Sequence, residues 1–121
     1  MPIERINLHD KLARFEDHWH PRVIGELNGQ QVKLVKLKGE FVWHHHDHED
    51  ELFLVLHGRL TIRFRDGDVV LEPGECCIVP RGVEHQPVAD DETHVLLFEP
   101  ATTLNTGNVR GDRTHERLER I

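Results

Sequence analysis

The chain has 121 residues, 22 acidic against 15 basic, and a formal charge of −7. That length suits a single domain, 1–121, and an acidic balance without a basic stripe argues against a nucleic-acid partner. The two cysteines, Cys76 and Cys77, are adjacent and cannot form an ordinary intradomain bridge. With neither a charged-then-apolar leader nor an apolar run of membrane length, they point to a soluble, cytoplasmic protein with one thiol packed in the core.

In chain order, Leu8, Leu12, Phe15 and Trp19 recur at intervals of four, three and four. That spacing predicts a short helix over Asn7 to Trp19, with Asn7 as its cap. His18 and His20 flank Trp19 as surface residues, because nothing nearby completes a site. From Arg22 the pattern changes to short strands. Asn28-Gly29 is a tight hairpin signal before a Val/Leu-rich run from Gln31 to Lys38. Gly39 and Glu40 interrupt it, and Phe41 to His46 resumes an extended run ending in a polar turn, Asp47 to Asp50. Glu51 to His57 and Arg59 to Arg65 alternate around Gly58. Turns at Asp66-Gly67, Pro73-Gly74 and Pro80-Arg81-Gly82 separate Asp68 to Glu72 from Cys76 to Val79. His85 to Ala89 and His94 to Glu99 are the last strands. So many short strands at close intervals predict an all-β sandwich or barrel, with its core at about 22–100. The tail, 101–121, is rich in Thr, Asn and Gly, with one or two helical turns possible after Thr114. It is expected to cover the barrel mouth, to pack on a partner subunit or to be partly disordered.

The segment Trp43-His44-His45-His46-Asp47-His48-Glu49-Asp50-Glu51 carries the chemistry. Two residues apart on an extended strand, His44 and His46 point to one face and His45 to the other. The following turn brings Glu51 back opposite the pair, and imidazole with carboxylate suits a divalent transition metal. A carboxylate directed into a barrel interior is otherwise heavily penalised. His46 and His48 form a second such pair, but it shortens the gap to Glu51 and leaves His44 outside. His48 is therefore ranked as a turn residue or an outer contact. His57 and His94 have no companion in the sequence and are read as half-buried strand residues. A solvated histidine-rich loop is the plain alternative to a metal site.

These residues resemble the two motifs of the cupin superfamily. Gly39, His44, His46, Glu51 and Gly58 match the first; Gly74, Pro80, Gly82 and His85 match the second. Gly39 lies one residue closer to the histidines than the commonest spacing, and Ala89 stands where asparagine is frequent. The resemblance spans Gly39 to Ala89. It implies a double-stranded β-helix (jelly-roll) barrel with a short N-terminal helix and a C-terminal tail. It also implies one metal per chain, Fe, Mn, Zn or Ni, on His44, His46, Glu51 and His85.

Such a site leaves positions open for dioxygenase-type or isomerase/lyase-type chemistry on a small organic substrate, with Glu51 also available as a base. The alternative is a non-catalytic module that binds sugars or other small molecules, since one fold hosts unrelated functions. Phe41, Trp43, Phe53, Val55, Phe64 and Phe98 are expected to wall the pocket. Arg63 should face away if Leu60, Ile62 and Phe64 face inward, while Lys33 or Lys36 can reach the pocket, depending on register. The chain has no tyrosine, which excludes a Cys–Tyr crosslink. The outward leucines Leu52, Leu54 and Leu56 need covering, by a second sheet or by a symmetric homodimer.

Overall fold

The structure is a computed structural model, described over residues 2–121. It contains one short helix, α1 (Leu8–Leu12), and seven strands: β1 (Arg22–Leu27), β2 (Gln30–Glu40), β3 (Glu51–His57), β4 (Leu60–Phe64), β5 (Gly67–Leu71), β6 (Cys76–Val79) and β7 (His85–Pro100). Every strand pairing is antiparallel. The order is β1-β2-β7-β3-β6, with β4 joining β5 to β7. Among the described residues no helix is long and apolar enough to cross a membrane.

The two strands expected at the end of the barrel are one. β7 runs unbroken for 16 residues. Its first half pairs with β4 and the end of β2; its second half pairs with β2 and β3. Register shifts at Leu37/Gly39 in β2 and at Val55/His57 in β3 mark where the strands bend beside it. β7 therefore carries one wall of the barrel into the other.

The alternation expected on β3 is present: Glu51, Phe53 and Val55 are buried, with Leu52, Leu54 and Leu56 half-buried. Opposite them on β7, Val95, Leu97 and Glu99 also face inward. Leu60, Ile62, Leu71 and Val79 complete this core. Leu56 faces a second, smaller cluster of Phe15, Ile24 and Leu34, so part of the outward leucine row is covered by the chain itself. The Asn28-Gly29 turn has φ of 51° and 77°, the positive pair that matches the twist of a two-residue hairpin.

The helix is shorter than its periodicity predicted. Asn7 caps it, its side chain accepting from the Asp10 N–H at 3.0 Å, but it ends at Leu12. Leu8, Leu12 and Phe15 stay together over the smaller cluster. Trp19 leaves them by adopting a left-handed φ of 62°. Its indole N–H donates to the Lys38 carbonyl at 2.9 Å and its ring stacks on Phe41, with centroids 4.6 Å apart. Tertiary contact has overridden local period at this residue. The tail likewise forms no helix: Arg120 bridges to Val23, and the Ile121 N–H donates to the Val23 carbonyl.

Candidate metal centre

His44, His46, Glu51 and His85 converge in the barrel, with one ligand atom from each lying within 4.8 Å of all the others. All four are buried. Contrary to the expected strand, the segment after Glu40 pairs only locally: the His44 and His85 backbones exchange N–H···O bonds of 3.0 and 2.9 Å. This bridge fixes the two rings beside each other, centroids 4.4 Å apart. The Gly82 N–H holds the His46 carbonyl at 2.7 Å. His48 is exposed in the turn, which removes the His46/His48 alternative.

The ring orientations are set by the backbone. His44 Nδ1 lies 2.9 Å from the Val42 carbonyl and His85 Nδ1 lies 2.9 Å from the Val83 carbonyl. A carbonyl can only accept, so Nδ1 carries the proton in each ring and Nε2 presents a lone pair. Outer contacts of this kind orient histidine ligands. Glu51 Oε1 sits 3.4 Å from both His46 Nε2 and His85 Nε2. All three atoms are buried without a hydrogen-bond partner. Three orphaned polar atoms facing one point are costly unless something fills it.

The protonation states fit a cation. Burial, followed by the nearby His85, lowers the His44 pKa to about 4, so its imidazole is neutral near pH 7. Burial alone would raise the Glu51 carboxyl, but the surrounding His46, His85 and Glu99 side chains together outweigh it and hold the group well below the usual range. Three imidazoles with one carboxylate form a donor set compatible with a divalent transition metal.

Sequence reading missed Glu99 and left Lys33 unplaced. The register pairs Leu52 with Phe98 and Phe53 with Leu97, which brings Glu99 to the Glu51 end of the barrel. Lys33 pairs with Leu97, diagonal to Glu99, and its Nζ donates to Glu99 Oε1 at 2.7 Å. Burial, then the Glu51 charge, pushes the Glu99 carboxyl well above its ordinary value. Lys36, on the other face of β2, donates instead to the Phe15 carbonyl at 2.7 Å.

The cavity, about 40 Å³, is lined by Phe41, His44, Glu51, Phe53 and Glu99, with Trp19 and Leu37 among its apolar walls. Of the expected wall residues, Phe41 and Phe53 are there. Trp43 instead lies under the Arg65 guanidinium, 3.7 Å from the ring centroid. Val55 is sealed in the core, Phe64 packs against that core, and Phe98 is on the outer face of β7. Arg63 faces away, as expected, toward Glu40 and Gln86. His57 and His94 are each other's companions across β3 and β7, their rings 5.0 Å apart.

The tail reaches the site. Asn105 lines the cavity, and Asn108 brackets His45, its Oδ1 accepting from the His45 N–H at 2.8 Å. Gly107 has a φ of 56°, and a Cβ there would lie 2.2 Å from the His45 carbonyl oxygen. Only glycine lets the tail come this close to the histidine segment. Nothing in the sequence spacing announces that contact.

A family model described as the cupin domain matches residues 32–99. A cupin-2 domain containing protein from Shewanella frigidimarina is 50% identical, with a TM-score of 0.78, and the match covers 78% of this chain and 93% of that one. Protein NMB1881 from Neisseria meningitidis is 33% identical at a TM-score of 0.74, with 81% and 100% covered. Protein YdbB of Bacillus subtilis is 42% identical over 64 residues, which are 52% of this chain and 57% of YdbB. The match thus spans little more than half the length of that curated relative. With its jelly-roll barrel and the matched core from 32 to 99, the chain belongs to the cupin domain family.

Proposed function

We propose that this cupin holds one divalent transition metal on His44, His46, Glu51 and His85 and acts enzymatically on a small organic substrate. The observation that carries this reading is the convergence of three buried, partnerless atoms, His46 Nε2, His85 Nε2 and Glu51 Oε1. When bound, iron would supply oxygen activation, whereas manganese, zinc or nickel would supply a Lewis acid that polarises a carbonyl. The chain's own residues do the rest. Val42 and Val83 carbonyls lock the imidazoles, Trp19, Phe41 and Leu37 hold an apolar substrate body, and Asn105 of the tail lines the cavity beside them.

The alternative, a binding module without turnover, is favoured by the mostly apolar lining of the cavity, where Glu99 and Asn105 are the polar side chains outside the four-residue cluster. Elemental analysis of protein purified without chelators, beside His46→Ala, tests the metal. Close to one equivalent, lost in the variant, is expected; absence of metal after reconstitution would remove the proposal. Turnover is then sought with enols, diols and thiols for iron, or with isomerase and lyase substrates for the other ions.

A symmetric homodimer in a reducing cytoplasm completes the proposal. Its support is β6, at the end of the sheet order, with Ile78 63% exposed and Cys76 a free, exposed thiol. Sedimentation of the wild type and Ile78→Lys tests the pairing: a dimer that becomes a monomer is expected.

A further inference from the structure

One buried polar atom in the cavity is left over once the four-residue cluster is accounted for. Glu99 is 2% exposed on the inner face of β7 and lines the cavity with His44 and Glu51. Lys33, equally buried, holds its Oε1 at 2.7 Å. Oε2 has no hydrogen-bond partner. Folding gains little from this arrangement, because a volume-matched apolar pair would fill the same space without desolvating two charges. Apolar residues do fill the neighbouring inward positions, Val35 and Leu37 on β2, Val95 and Leu97 on β7. The charged pair stands at the end where the imidazoles converge.

We propose that Glu99, steadied by Lys33, is the residue that selects the ligand, its Oε2 pairing by a hydrogen bond with a ligand hydroxyl. This rests on the metal reading above. The ligand class is a compact oxygen chelator carrying one further hydroxyl, with its carbon body against Phe41 and Trp19. A second anionic group is disfavoured, because the Glu51 carboxylate already faces the same cavity. A site built to pair a ligand hydroxyl rejects the analogue that lacks it, since its own buried group is then left unpaired.

Cobalt(II)-loaded protein provides the test, read by its visible spectrum during titration with glycolohydroxamate and propionohydroxamate. The two probes share a chelating head and differ by a hydroxyl in place of a methyl. Wild type is expected to bind glycolohydroxamate about tenfold more tightly. The double variant Lys33→Met/Glu99→Leu removes both charges together, should still take one equivalent of cobalt, and should bind the two probes within about twofold of each other. Equal affinities in cobalt-loaded wild type would overturn the role of Glu99 while leaving the metal reading intact, whether or not the double variant folds. A preference that survives in the double variant would do the same. Wild type that takes up no cobalt would overturn the metal reading, and this proposal with it.

Discussion

The two ends of the barrel interior are built on the same strands and follow opposite rules. At one end Val55, Leu60, Ile62 and Val95 are completely buried and purely apolar. At the other, the same inward faces of β2, β3 and β7 end in Lys33, Glu51 and Glu99, joined by three histidines. Strand alternation therefore fixes which face is inside but does not fix what is placed there. The apolar end stabilises the barrel; the polar end draws on that stability and returns a site.

The most severe way to break this contrast is to leave half of the buried ion pair in place. Glu99→Leu alone strands Lys33 without its carboxylate and should cost about 3–5 kcal/mol in urea unfolding, whereas Lys33→Met/Glu99→Leu should lie close to wild type. A double variant as unstable as the single one would mean that the pair itself holds the polar end together. Gly107→Ala comes next. Its new methyl meets the His45 carbonyl, so we expect a loss of about 2 kcal/mol and faster proteolysis of the tail, with β3 and β4 unaffected. Unchanged proteolysis would show that the tail is not seated by this contact.

At the apolar end, Ile62→Val should cost about 0.5–1.5 kcal/mol and leave metal stoichiometry at its wild-type value. A fall in stoichiometry would mean that the two ends are coupled. The smallest effect is expected at the surface, at the bend of β7. Hydrogen bonds from His18 and His94 lower the Glu92 pKa to about 2. The folded carboxyl titrates below the unfolded one, so this contribution is present above pH 4.5 and lost as pH falls toward 2. Glu92 is largely exposed, and Glu92→Gln should cost less than about 1 kcal/mol at pH 7. A pH titration of urea midpoints in which wild type and variant converge near pH 2 is the expected outcome.

Much of this was readable from local pattern. The Asn28-Gly29 turn, the alternation of Glu51 to His57 and the limits of Cys76 to Val79 each follow from neighbours in sequence. The four clustered side chains were named from spacing and from two motifs. Lys33 and Glu99 were not legible in that way. β2 is buried on both faces from Leu34 to Leu37, so polarity along the strand does not reveal its register. Only the pairing of β2 with β7, 66 residues away, brings the two charges together. Trp19 shows the reverse failure. Its spacing fits the helix face, but a stack on Phe41 and a bond to the Lys38 carbonyl outweighed about two more turns of helix.

β7 also sets a timetable. It follows the other strands of this sheet in chain order, and β2, β3 and β4 each have it as a neighbour. While the ribosome is still adding residues 85–100, those three strands have one edge unpaired, the condition in which nascent β-proteins associate wrongly. His85 and Glu99 lie on this same late strand, so neither the ligand cluster nor the Lys33 pair can form during most of synthesis. An ion meeting the emerging chain finds two histidines and a glutamate without their closing partner. The four-residue cluster is therefore complete only in the finished barrel.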